Sequence, residues 1–381
     1  MYIIDDRIRQ LIQEIENCSP QSDSLMAELV RALQVNCAKP EVQARYKAYR
    51  QTGHSSALDL PPMPLDENGY LKGFDPLTQE AEFLQFWQTY GIVVSKSVVS
   101  AALCERVIAR MHEVCRQLSD GKFSLDNSAE NDQTHMPVDT NGVALMTRGF
   151  FELYHDDAIA ALRQALRVYL HHVLLWGRAD LWTTFDRLGI KRPAQEGAEA
   201  LPLHVDQNPN VHPHFRTVQG VLALRHCPAE RGTFVGVPGS PRHFHAYGEM
   251  AKNQGEYVEL DPNHPLYEAL SQAAQLCPLA QGDLISWDSR TTHANSANLS
   301  NETRYVAYIC AGPAAEDNQE AVAARAEALQ TGIGKNVRDA LMHASKPPRF
   351  TDPERLQAVR QVETLTFLGN LLYGNTRYDS L

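Results

Sequence analysis

With 381 residues, 43% of them hydrophobic and 21% charged, the chain is long enough to bury a sizeable core in one large domain or two ordinary ones, and its composition argues against disorder. Its 35 Lys and Arg against 46 Asp and Glu leave a formal net charge of −11 without any basic run, which speaks against nucleic acid or an anionic membrane as partner. No stretch approaches membrane-spanning length.

The first fifty residues carry helical periodicity. Ile4, Ile8, Leu11, Ile12 and Ile15 fall on one face, and Leu25, Met26, Leu29, Val30 and Leu33 on another. Pro40 suits the first turn of a third helix running to about Gln51 and ended by Gly53. Residues 54–76, with Pro61, Pro62 and Pro64, read as loop or linker. A helix carrying Phe83, Phe86, Trp87 and Tyr90 ends at Gly91, before the apolar run Ile92 to Val94. Ser100 suits the N-cap of a helix through Leu118, and residues 119–143 form a polar surface excursion. Asp156 and Asp157 open a helix expected to run on to Trp176.

Beyond Gly177 the pattern changes to short strands and turns. Leu181–Arg187, Thr217–Leu224, Thr233–Val237, Leu284–Trp287 and Arg304–Cys310 are the expected strands. Short strands bounded by Gly and Pro favour a sandwich or jelly-roll barrel over a parallel sheet. From Ala314 the tail returns to helix, broken by Gly332, Gly334 and Pro347-Pro348. The expected architecture is α+β with a mainly β core: a helical extension and linker over 1–76, a core domain over 77–313, and a helical extension over 314–381. The seven cysteines are scattered and contain no C-x-x-C, and Met1 to Gln10 hold no apolar signal region. Both features fit free thiols in a cytoplasmic protein.

The chemistry concentrates in His204-Val205-Asp206, His293 and Arg304. Residues i and i+2 of a strand face the same side, so His204 and Asp206 can both point inward. Two histidines and a carboxylate are the ligand set that leaves three positions open on ferrous iron. Arg304 supplies a permanent forked cation suited to a dicarboxylate. A hairpin through Asn298 to Asn301 is expected to set Arg304 beside His293. Competing clusters read as bland. Asp156 and Asp157 after His155 suit a helix N-terminus, His212/His214 and His243/His245 suit the surface or a supporting role, and His171-His172 suit packing and solvent exposure on a helix.

The segments Leu201 to Asp206, Val237-Pro-Gly-Ser240 and Gly282 to Arg290, with His293, Asn298 and Arg304, resemble the phytanoyl-CoA dioxygenase-like branch of iron(II)/2-oxoglutarate-dependent oxygenases. Gly91 to Val94 and the helix start at Ser100 to Glu105 are similar to that branch as well, and the likeness spans roughly residues 80–315. It implies a double-stranded β-helix of jelly-roll, cupin-like form, with Fe(II) held by His204, Asp206 and His293. It further implies 2-oxoglutarate as co-substrate with O2, its distal carboxylate on Arg304 and Asn295 near that carboxylate. Arg187 and Gln219 stand at positions that line the pocket in relatives, with a structural role equally open. Val221 and Pro241 depart from the family pattern and leave the substrate pocket unread. The implied reaction is hydroxylation of a small-molecule C–H bond with release of succinate and CO2, and a carboxylate at 206 favours hydroxylation over halogenation. Arg148 reads first as a solvent-exposed or structural arginine, with contact to an anionic substrate as the alternative. Two other classes stay open: a cupin-type metal enzyme that does not use 2-oxoglutarate, and a silent barrel serving as an interaction module. The terminal helices suit either self-association into a homo-oligomer or simple capping of the core.

Overall fold

A computed structural model describes residues 2–18, 22–51, 58–125, 150–193, 200–251, 255, 257–332, 334–335, 345–346 and 357–381. Helices α1 (Asp6–Asn17), α2 (Asp23–Cys37) and α3 (Pro40–Gln51) form the N-terminal layer. Asp5 and Ser22 cap the first two by accepting from the backbone N–H of Ile8 and Leu25. Ile8, Leu11, Ile12 and Ile15 of α1 and Met26, Leu29, Val30 and Leu33 of α2 are buried, as their periodicity requires. Helix α4 (Glu80–Tyr90) stops at Gly91, whose φ of +69° is the left-handed cap that glycine adopts without strain. A Cβ there would also meet the Pro241 ring at 2.5 Å. Helix α5 (Ala101–Leu118) starts at the Ser100 cap. Gly53 and Pro347-Pro348 lie outside the described residues.

Helices α6 (Asp157–Arg163) and α7 (Leu166–Trp176) correct the single long helix expected from the sequence. Asp156 caps α6 as anticipated, accepting from Ala158 N. Ala165 then turns extended, at φ −63° and ψ 130°. The break frees Arg163 to donate to the Asp186 carbonyl and Gln164 to bind the Thr364 carbonyl and the Thr366 backbone. Good local helix formers therefore yield to polar contacts with Asp186 and with the C-terminal segment.

Every pairing between the named strands is antiparallel, and an isolated parallel bridge joins Phe74 to Ser95. Strands β1 (Ile92–Ser95), β2 (Phe150–Phe151), β4 (Leu188–Lys191), β6 (Val218–Ala223), β10 (Leu284–Asp288) and β12 (Arg304–Tyr308) form a six-stranded sheet in the order β1-β10-β6-β12-β4-β2. Strands β5 (Leu201–Val205), β7 (Phe234–Gly236), β8 (Val258–Glu259), β9 (Gln275–Cys277) and β11 (His293–Asn295) form a five-stranded one in the order β8-β5-β11-β7-β9. Strand β3 (Leu181–Thr183) pairs with β13 (Ala311–Pro313) in a separate ribbon. The strand expected over 181–187 is thus only β3, ending at Thr183, and the chain leaves that ribbon over 184–187 before β4 begins in the six-stranded sheet at Leu188. Likewise, the strand expected over 304–310 ends at Tyr308.

One face of the large sheet is covered by α5 and α6, through Val107, Met111, Ile159 and Leu162 against Leu188, Ile190, Leu222 and Ala307. The other face joins the core that continues into α1–α4 and α7. Both sheets meet closely near Gly236, where an added Cβ would lie 2.4 Å from Ile92 Cδ1. The molecule is a mixed α/β fold with antiparallel sheets.

The hairpin expected between His293 and Arg304 is corrected too. Strand β11 belongs to the five-stranded sheet and β12 to the six-stranded one, so residues 296–303 carry the chain across. Asn298 secures the crossing by donating to the Lys191 and Glu302 carbonyls at 2.9 and 2.8 Å.

All seven cysteines are free. Among the described residues no helix is long and apolar enough to cross a membrane. His171 and His172 are fully buried, against the expected partial exposure. His171 bridges Ser95 and Ser286, its Nδ1 and Nε2 lying 2.7 and 2.8 Å from their hydroxyls. Burial lowers its pKa well below the usual value and lowers that of His172 to about 4.

Candidate functional site

Side chains alternate along the end of β5 and the residue that follows it, so His204 and Asp206 share one face across the buried Val205. Antiparallel pairing sets His293 directly opposite His204. One ligand atom from each of the three residues lies within 4.8 Å of the others, the only such His/Cys/Asp/Glu group among the described residues. His293 Nε2 is 3.5 Å from Asp206 Oδ2. Each imidazole has its Nδ1 against a backbone carbonyl, His204 at 2.8 Å from Pro202 and His293 at 2.9 Å from Thr291. Those bonds fix the tautomer and turn each Nε2 lone pair toward the shared centre. Two neutral imidazoles and one carboxylate so arranged fit a ferrous ion.

Gln219, read from the sequence as a pocket residue, donates to Asp206 Oδ2 at 2.8 Å. It orients the carboxylate, while its own Oε1 is buried with no partner among the described residues. Directly opposite Gln219 in the register stands Trp287, whose ring lies 5.2 Å from that of His293. Phe234 packs on both, 4.4 Å from Trp287 and 5.6 Å from His293. These rings wall the site with apolar surface from both sheets.

A turn missed by the sequence reading leads into His293. Arg290 binds the Asp288 carboxylate with Nε and Nη2, at 3.0 and 2.7 Å, both residues being buried. Tyr49 of α3 adds its hydroxyl to the same carboxylate at 3.0 Å. Burial, with the Asp288 charge next, raises the phenol pKa well above normal, so Tyr49 donates. No local signal ties Tyr49 to position 288, which lies 239 residues away.

Arg304 opens β12 and is buried, with its Nε lacking a partner among the described residues. Glu302, two residues earlier, pairs instead with Arg231 at 2.8 Å. Opposite Arg304 in the register is Lys191, also buried, with Nζ 2.7 Å from the Ser296 carbonyl. Burial, and then Arg304, pull the Lys191 pKa down to about 8. Arg187 shares that side of the sheet but is held over the Phe150 ring at 3.8 Å, with Asp186 at 3.7 Å. Asn295 pairs with Phe234 on β7, two residues past His293.

The competing histidines take supporting places. The His212 and His214 carbonyls accept from Gln207, and His243 accepts from Asp59 N at 3.3 Å. His155 contacts Glu363 at 3.0 Å. Arg148 lies outside the described residues.

Comparison with known proteins agrees with this geometry. Residues 87–306 match the family model of phytanoyl-CoA dioxygenase (PhyH), more than half of the chain. Ava biosynthesis cluster protein O of Aspergillus versicolor is 23% identical over 252 residues, covering 63% of this chain and 80% of that relative. The GlcNAc Inducible Gene 2 protein of Candida albicans has a similar fold, with a TM-score of 0.51 at 13% identity over 99% of this chain and 95% of its own. A further similar structure is the epimerase SnoN, solved with Fe3+, alpha ketoglutarate and nogalamycin RO. Its TM-score is 0.46 at 18% identity, over 63% of this chain and 85% of that one. With four chemistry-bearing side chains inside the matched segment, the chain belongs to the phytanoyl-CoA dioxygenase (PhyH) family of iron- and 2-oxoglutarate-dependent oxygenases.

Proposed function

We propose that this enzyme hydroxylates an unactivated C–H bond of a small-molecule metabolite, converting 2-oxoglutarate and O2 to succinate and CO2. The observation that carries the reading is the His204–Asp206–His293 group together with the buried Arg304, with which no acid forms an ion pair among the described residues. His204, Asp206 and His293 would hold the iron, which supplies O2 activation when bound. Arg304 would anchor the distal carboxylate of 2-oxoglutarate, with Asn295 beside it. Gln219 keeps Asp206 in position, and Trp287 and Phe234 exclude water from the reacting region. Arg187, over the Phe150 ring and beside Asp186, would line the co-substrate pocket. The two sheets read as a double-stranded β-helix over residues 77–313, with 1–76 and 314–381 as helical extensions packed on it.

The test is incubation of the iron-loaded enzyme with 2-oxoglutarate, isotopically labelled O2 and a metabolite library. Hydroxylation requires substrate-stimulated succinate release together with a product that gains one labelled oxygen. Loss of two hydrogens without oxygen gain would replace hydroxylation by desaturation or ring closure.

A further inference from the structure

We infer that Lys191 is a second cation for the distal carboxylate of 2-oxoglutarate, so that this chain grips that carboxylate from two adjacent strands. The inference rests on the reading of Arg304 as the anchor. Lys191 and Arg304 are directly opposite in the β4–β12 register and therefore project from the same face of the sheet. Like charges in such a cross-strand pair repel, and here both are also buried. No acid among the described residues forms an ion pair with either side chain, and the nearby Glu302 is committed to Arg231.

Two buried cations side by side are stable only when something anionic completes them. Local structure shows that Lys191 is held in place rather than tolerated. Its Nζ spends one donor on the Ser296 carbonyl, which leaves two N–H bonds directed elsewhere. Gly232 gives the stem its room, because a Cβ at that position would sit 2.7 Å from Lys191 Cδ. The positive φ of +66° at Gly232 makes the vacancy easy to keep. Asn298 then ties the Lys191 carbonyl to the crossing segment. A forked guanidinium and a point-like ammonium together can engage both oxygens of one carboxylate.

The experiment is anaerobic calorimetric titration of the full-length protein loaded with Mn(II), which reads binding without turnover. Two ligands are compared: 2-oxoglutarate, and 2-oxopentanoate, which has a methyl group in place of the distal carboxylate. Lys191→Met is expected to weaken 2-oxoglutarate about 10- to 100-fold and to leave 2-oxopentanoate unchanged. Lys191→Gln keeps a donor for the Ser296 carbonyl and, lacking charge, is expected to show the same ligand-specific loss even if the Met variant does not fold. Wild-type-like affinity for 2-oxoglutarate in Lys191→Gln would overturn the inference, as would equal losses for both ligands, which mark a structural lysine. A wild-type protein that binds Mn(II) but not 2-oxoglutarate would instead bring down the underlying function.

Discussion

Asp206 is the side chain on which metal, hydrogen bonding and outcome converge. It faces His293 and accepts from Gln219, and it is less buried than either histidine. Removing it should cost chemistry and little stability. Asp206→Ala is expected to abolish 2-oxoglutarate-dependent succinate formation while leaving the denaturant midpoint within the range of an ordinary surface change. Turnover at the wild-type rate would take the carboxylate out of the reaction. Gln219 acts one step back, by aiming that carboxylate. Gln219→Leu should lower Fe(II) affinity about 10- to 100-fold, the usual loss when a ligand loses its orienting partner. An unchanged metal titration would reduce Gln219 to a packing residue. The triad was legible because its residue types and spacing are rare together. Lys191 was not, since an isolated lysine in a strand pattern reads as solvent-facing, and only pairing with Arg304 shows that it turns inward.

Elements were legible where apolar periodicity ran unbroken, as in α1 and α2, or where a cap marked the start, as in α5. They failed where distant contacts overrode local preference. Arg163 and Gln164 end α6 where they bind Asp186 and the C-terminal Tyr373 and Thr364, and the crossing at 296–303 looks in sequence like a plain hairpin. Helix α3 makes the same point through Tyr49, whose bond to Asp288 braces the turn before His293. Tyr49→Phe should cost about 1–3 kcal/mol in urea denaturation, because a buried carboxylate loses a donor, and should weaken iron binding in parallel. Intact stability with intact metal affinity would remove the brace. Helix α7 sets a pH dependence. The buried His172 has its pKa lowered to about 4, so the folded state takes up its proton later than the unfolded state on acidification. Its contribution is present above about pH 6.5 and is lost as pH falls toward 4, on the order of 3 kcal/mol. His171, shifted in the same direction, adds to this. His172→Gln should flatten the stability profile between pH 6.5 and 4, and an unaltered slope would exclude His172 as its source.

Across the whole molecule, the site depends on how near the two sheets come. Gly236 lies opposite His293 in the register, and its missing side chain admits Ile92 from the other sheet. Gly236→Ala should destabilise by about 1–3 kcal/mol through overpacking. Ile92→Val removes the Cδ1 atom in the way, and the double variant should recover most of that loss. A double-mutant cycle reads the coupling, and strictly additive effects would show that the contact does not control the spacing. The Tyr49 brace reaches further than either residue, because it starts outside the segment that matches the family. A chain trimmed to begin at Leu77 would retain every chemistry-bearing side chain named above, yet surrender the phenol that quiets Asp288. Shared ancestry and self-sufficiency therefore end at different residues: the stretch that reveals kinship is shorter than the stretch needed to keep its second histidine steady.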